Sequence, residues 1–234
     1  MRPGCLFFDI DNTLFPTREF ATQARLNGLK SMVEAGLRGD PEDLMRLLAE
    51  VVGEFGSNDS EHFRKLLMRL PPAALDGHNL CVLEAAGIVG YSQTKFRLYK
   101  AHEDVLSVLK ELHAMGLPMG IISNGRTLKQ AEKLVRLGVL PYLRRDAILI
   151  SEQIGIAKPN PGIFLRACGL LGCPPAQAMM VGDSLEADIR PARALGMTAV
   201  QNCRGLGPGE KVPEAHHHIQ NFWELLDLLK EPGR

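Results

Sequence analysis

"LFFDIDNTLF", residues 6–15, sets a run of apolar side chains against two acids, Asp9 and Asp11. The segment "CLFFDI" (5–10), bounded by Pro3-Gly4 and by those acids, shows no alternation of polar and apolar residues. A short unbroken apolar run of this kind is the pattern of a strand covered on both faces, which belongs to a parallel sheet with helices on either side. The chain must then supply alternating helices and strands.

From about residue 100 it does. "AHEDVLSVLKELHAMGL" (101–117) reads as helix, "PMGIISN" (118–124) as strand, "TLKQAEKLVRLGVL" (127–140) as helix and "DAILIS" (146–151) as strand. "NPGIFLRACGLLG" (160–172) follows as helix, "AQAMMVGD" (176–183) as strand, "EADIRPARALG" (186–196) as helix, "MTAVQNC" (197–203) as strand and "FWELLDLLKE" (222–231) as helix. Alternation of this length predicts right-handed βαβ units, hence an α/β fold with a parallel sheet.

Residues 16–99 break that rhythm. Helix-spaced apolar residues run through "TREFATQARLNGLKSMVEAGL", "DPEDLMRLLAEVVGEF", "SEHFRKLLMRL" and "NLCVLEAAGIVGYSQTKFRLYK". Asp40-Pro41 has the form of a helix start and Pro71-Pro72 interrupts the segment. The expectation is an all-helical insert at 16–99 within a core formed by 1–15 and 100–234. At 234 residues, 45% of them apolar, the chain is long enough for both.

The predicted strands end in small or polar residues, and in open α/β sheets ligands sit at that edge. Asp9 and Asp11, two apart in extended backbone, would point into one space and repel unless a cation neutralised them. Oxygen donors of this kind call for a hard ion such as Mg²⁺. Taken alone, the pair is equally well read as a turn cap beside a solvated acid.

Three further loops bear on the choice. Ser123, Asn124 and Gly125 end one strand and offer a hydroxyl and backbone N–H groups to a phosphate oxygen, or simply make a good turn. Lys158, in "GIAKPNPGIF", would hold a carboxylate and a phosphoryl oxygen in register, or stand in water as an ordinary loop lysine. In "MMVGDSLEADI", Asp183 either adds an oxygen to the cation or caps the helix. Asp188 either orients Lys158 or suits the helix dipole.

The ordered set "DIDNT", "SNG", "AKPNP" and "GDSLEAD" resembles the haloacid dehalogenase-like (HAD) superfamily, over about residues 3–13 and 100–230; the insert matches in position and helicity only. The resemblance implies a Rossmann-like core, a helical cap inserted after the first motif, and Mg²⁺-dependent phosphoryl transfer through an aspartyl-phosphate. By motif position it makes Asp9 the nucleophile and Asp11 the acid and base, with Ser123 and Lys158 on the phosphoryl group. Asp9, the Asp11 carbonyl and Asp183 would hold Mg²⁺, with Thr13 supporting the loop and Asp188 behind the site. Its dehalogenase branch, which displaces halide and needs no proton donor, lacks an acid where Asp11 stands. The reading is therefore a phosphatase for a small phosphorylated metabolite, with a phosphomutase or a non-catalytic phospho-ligand-binding protein as alternatives. Phe15, Thr17 and Arg18, directly after the catalytic loop, are the candidates for lining the substrate pocket.

Other features bound the class. Lys+Arg and Asp+Glu balance at 27 each, leaving no net field toward nucleic acid or an anionic membrane. Five scattered cysteines without a C-x-x-C pair suggest reduced thiols in a cytoplasm, and Cys168 and Cys173 read as small apolar residues. No run resembles a leader or a membrane span. His216, His217 and His218 read as a polar approach to the last helix, since neighbouring side chains diverge too far to share an ion. The charged residues Arg25, Arg64, Lys95 and Arg97 of the insert are expected to face water.

Overall fold

The structure, a computed structural model, describes residues 3–207 and 211–230. The described chain runs β1 (Cys5–Phe8), α1 (Thr17–Glu34), α2 (Pro41–Phe55), α3 (His62–Leu67), α4 (Pro72–Leu75), α5 (Leu80–Leu98), α6 (Glu103–Ala114), β2 (Met119–Ser123) and α7 (Thr127–Leu137). It continues with β3 (Ile148–Ile150), α8 (Ser151–Ile154), α9 (Pro161–Leu171), β4 (Ala178–Gly182), α10 (Arg190–Ala194), β5 (Thr198–Asn202), β6 (His217–Ile219) and α11 (Phe222–Lys230). The last residue of the expected final helix, Glu231, lies outside the described residues.

Two compact units form. One joins Met1–Thr17 to Lys100–Arg234, and the other is Arg18–Tyr99. The first holds a six-stranded sheet in the order β3-β2-β1-β4-β5-β6, every neighbouring pair parallel. This is a Rossmann-like α/β fold. The order reverses between β1 and β4, so the crevice beyond their carboxyl ends is where such a sheet accepts a ligand.

Alternation along β1 decides which layer each side chain joins. Cys5 and Phe7 enter one cluster with Ile122, Phe164, Met180 and Ile189. Phe8 points to the other face, where its ring stacks on Phe222 of α11 at 5.8 Å. With both faces covered, all four residues of β1 are fully buried, which is why the sequence shows no alternation there.

The Arg18–Tyr99 unit has its own apolar centre, including Leu29, Met32, Leu48, Phe63, Leu66 and Leu83. The Asp40 carboxylate accepts the Glu42 N–H at 2.8 Å and caps α2, with Pro41 in its first turn. Pro71-Pro72 starts the short α4 rather than only ending what precedes it.

Two expectations are corrected. The histidine run is a sixth strand, not a mere approach to α11: β6 pairs with β5 through Val200, Gln201 and Asn202. As a three-residue edge strand it is too short and too polar to register as an apolar run. At the start of the 186–196 helix, Ser184 and not Asp183 is the cap, its hydroxyl accepting the Ala187 N–H at 3.2 Å, and the first turn is a π-helix over Leu185–Ile189.

Asp104, in the first turn of α6, ties distant segments of this unit together. Its carboxylate accepts two hydrogen bonds from Arg204, one at 3.0 Å, and the Phe222 N–H at 2.6 Å. Burial opposes its ionisation, but these donors outweigh that and hold the carboxyl below its ordinary value. The stabilisation is therefore complete above the unfolded-state pKa of about 4 and is lost as the pH falls through the lower folded value. Asp104→Asn is expected to cost about 2–3 kcal/mol at pH 7. In urea unfolding, its deficit against the unsubstituted protein should narrow toward pH 3.

Candidate active site

Four loops at the carboxyl edge of the sheet supply the polar groups. After β1 the backbone turns sharply. The Ile10 carbonyl accepts the N–H groups of Thr13, Leu14 and Phe15 at 3.0–3.3 Å, and Asn12 takes φ 57°. Strand geometry thus stops before Asp11, whose carboxylate turns to α7 while staying near enough to Asp9 to raise its pKa. Asp9 stays with the sheet edge, its N–H on the Val181 carbonyl at 3.0 Å.

Lys158 organises that edge. Its side chain is only 2% exposed, and the ammonium lies 2.6 Å from Asp9 Oδ1 and 2.6 Å from Asp188 Oδ1. Burial disfavours its charge, but Asp188 and then Asp9 outweigh that and raise its pKa above the ordinary lysine value. Lysine is thus held as a cation. Asn124 fixes the backbone beneath it, accepting the Lys158 N–H and donating to the Lys158 carbonyl, each at 2.8 Å.

Asp188 reaches inward because Gly182 has no side chain: a Cβ there would fall 2.4 Å from the Asp188 carboxyl carbon. Its second oxygen accepts the Ser184 N–H at 3.1 Å. Burial raises the Asp188 pKa, with Lys158 opposing.

One oxygen each from Asp9, Asp183 and Asp188 lies within 4.8 Å of the others. Three carboxylates against one ammonium leave two negative charges uncompensated, the charge of one divalent cation. Burial, opposed by Lys158 and reinforced by Asp188 and Asp11, pushes the Asp9 carboxyl up to about 7, a strain that a cation would relieve. The all-oxygen donor set fits a hard ion such as Mg²⁺.

The Asp11 carboxylate is engaged elsewhere. It accepts hydrogen bonds from Thr17 Oγ1, from Lys133 Nζ at 2.5 Å and from Gln130 Nε2 at 2.8 Å. Burial opposes its ionisation, yet Lys133, Thr17 and Gln130 together hold its pKa below the ordinary value. Ser123 is wholly buried, with its hydroxyl 3.2 Å from Gln130 Nε2. The Gly125 N–H donates to Ser151 Oγ at 3.0 Å. Thr13 is buried, and its hydroxyl meets no hydrogen-bond partner among the described residues. Phe15 is wholly buried in the core unit, and Arg18 belongs to the helical unit.

Several residues of this network escape sequence reasoning. Asn12 Nδ2 donates to Asp183 Oδ2 at 3.1 Å, and Asn202, at the end of β5, holds the Asn12 carbonyl at 2.8 Å. Gln201 joins the Asp183 carbonyl and the Val212 N–H. Nothing short-range marks Gln201 or Asn202, and Asn12 shows only as a member of the "DIDNT" loop. Gln130 and Lys133 did leave a trace, two polar residues in the same buried stripe as Leu134 and Leu137.

Comparison with known proteins agrees with this fold. The family model for haloacid dehalogenase-like hydrolases matches residues 4–196. The chain is 40% identical over 232 residues to a glyceraldehyde 3-phosphate phosphatase of Methanopyrus kandleri, covering 97% of each chain. It is 34% identical over 226 residues to one of Methanocaldococcus jannaschii, covering 96% of each. Among solved structures, a HAD phosphatase of Thermococcus onnurineus superposes with TM-score 0.69 at 25% identity over 98% of both chains. A HAD-hydrolase of Bacillus subtilis bound to magnesium does so with TM-score 0.68 at 20% identity, over 99% of this chain and all of that one.

The chain belongs to the haloacid dehalogenase-like hydrolase family. Within it, the protein is a phosphatase, a hydrolase acting on phosphoric monoesters.

Because Asn124 makes both hydrogen bonds to the Lys158 backbone, Asn124→Ala is expected to lower kcat about tenfold, equivalent to ~1.4 kcal/mol. Steady-state kinetics on any hydrolysed phosphate ester would check this.

Proposed function

We propose that this protein is a Mg²⁺-dependent phosphatase that hydrolyses a small phosphorylated metabolite through an aspartyl-phosphate on Asp9. The carrying observation is the Lys158 ammonium held at 2.6 Å from both Asp9 and Asp188 beside Asp183. A carboxylate attacks a phosphate dianion only when their repulsion is screened, and this edge concentrates the means to screen it.

An Asp9 oxygen attacks phosphorus and the bond from phosphorus to the ester oxygen breaks. Asp11, ionised in the free site but carrying a proton once the ester dianion lies beside it, gives that proton to the departing alkoxide. A water then attacks the same phosphorus, passing a proton to Asp11, and the bond to the Asp9 oxygen breaks to release inorganic phosphate. Lys158 and the Ser123 hydroxyl hold phosphoryl oxygens, with the backbone N–H of Asn124 turned to the same use, whereas the Gly125 N–H is held by Ser151 Oγ. Asp9, Asp183 and the Asp11 carbonyl would hold Mg²⁺, which when bound supplies charge neutralisation toward the transferring group. Asp188 keeps Lys158 in place.

The helical unit, inserted directly after the Asp9–Thr13 loop, is assigned the part of a cap that selects the leaving group, with Arg18 as a candidate contact. Glyceraldehyde 3-phosphate is the first substrate to try, given the names of the relatives that match nearly the whole chain. Those relatives also favour water over a sugar hydroxyl as acceptor. The five free cysteines support a reducing compartment such as the cytoplasm, and no helix among the described residues is long and apolar enough to cross a membrane.

Turnover of glyceraldehyde 3-phosphate with Mg²⁺, measured as phosphate release, is the direct test. Asp9→Asn is expected to abolish it, and equal rates for both proteins would end the proposal. Binding is tested apart from activity by thermal unfolding. Mg²⁺ at about a hundred times its Kd should add ~2.7 kcal/mol of stability. That increment should shrink as the pH falls through about 7, where Asp9 takes up a proton, and should largely vanish in Asp183→Asn.

A further inference from the structure

The helix after β2 carries two polar side chains into the buried edge. Gln130 and Lys133 stand three apart on α7, a spacing that places both on one face, and both are buried. Each reaches a different oxygen of Asp11: Lys133 Nζ lies 2.5 Å from Oδ1, and Gln130 Nε2 lies 2.8 Å from Oδ2. Donors on both oxygens fix the rotation of a carboxylate as well as its place.

Gln130 also ties the pair to the neighbouring loop, since Nε2 lies 3.2 Å from Ser123 Oγ and 2.7 Å from the Asn124 carbonyl. Its Oε1 is buried without a donor among the described residues. A buried acceptor left unpaired is a cost that a residue placed for stability alone would avoid. Gly125 accommodates the arrangement: its φ is +142°, and a Cβ there would fall 2.8 Å from Gln130 Nε2.

We infer that Lys133 and Gln130 are positioning residues, a two-point clamp from α7 that sets the Asp11 carboxylate for the leaving-group side of the reaction. This rests on the reading of Asp11 as the acid and base. The clamp touches no reacting atom, and it acts through Asp11.

The clamp predicts a loss that depends on the leaving group. Lys133→Met keeps the apolar stem and removes the ammonium. On an alkyl phosphate that the unsubstituted protein hydrolyses, glyceraldehyde 3-phosphate first, this variant should lose about 10²-fold in kcat with KM unchanged. On p-nitrophenyl phosphate, whose phenolate leaves without a proton, its first-turnover burst should keep the unsubstituted rate. Lys133→Arg should recover most of the alkyl phosphate activity, and Gln130→Leu should show the same leaving-group pattern and carries the test if Lys133→Met does not fold. A raised KM, or an equal first-turnover loss on both substrates, would overturn the clamp. Asp11→Asn measured alongside separates the two ideas. Full activity there sinks the reading of Asp11, whereas an impaired Asp11→Asn beside unimpaired Lys133→Met and Gln130→Leu sinks the clamp alone.

Discussion

A buried ammonium between two buried carboxylates is the interaction on which this protein depends. Lys158 is 2% exposed and Asp188 1%, and neither charge would survive there without the other. Removing either partner leaves an uncompensated charge in a medium that solvates it poorly. The cluster is thus an arrangement in which each member is the condition for its neighbours, and its remaining negative charge suits a divalent cation.

The sheet explains how such a cluster is assembled. β1 and β4 are adjacent although Asp9 and Gly182 stand 173 residues apart, and Asp9 and Asp183 leave their carboxyl ends on the two sides of the point where the strand order reverses. β2 adds Ser123 and Asn124, and β5 adds Asn202, which braces the Asn12 carbonyl. The Asp9 N–H, the Ile10 carbonyl and the Asn12 N–H are all engaged in hydrogen bonds along this edge. The polar side chains therefore stand on rigid supports.

Stability and chemistry pull in different directions at this edge. The buried Thr13 hydroxyl and Gln130 carbonyl oxygen meet no partner among the described residues, and Asp9 is held where its carboxyl titrates near 7. A core selected for stability would fill these places with apolar side chains. Instead the cost is carried by the layers around it, by Phe7 and Phe164 on one side of the sheet and by the Phe8–Phe222 stack on the other.

The parallel sheet could be read from "CLFFDI" and the alternation after residue 100, because burial on both faces removes the polar residues that would otherwise mark a strand. Capping was equally legible at Asp40-Pro41, a matter of contacts within one turn. The four acidic and basic loops could be listed from their motifs, but not arranged. That Asp11 turns to α7 while Asp188 joins Asp9 and Asp183, and that three histidine-rich residues make an edge strand, were decided by tertiary structure. Each depends on partners far apart in the chain: Lys133 stands 122 residues from Asp11, and Lys158 stands 149 from Asp9. A local pattern reports which face of a strand or helix is buried. Which charge meets which is set only when the strands take their order in the sheet.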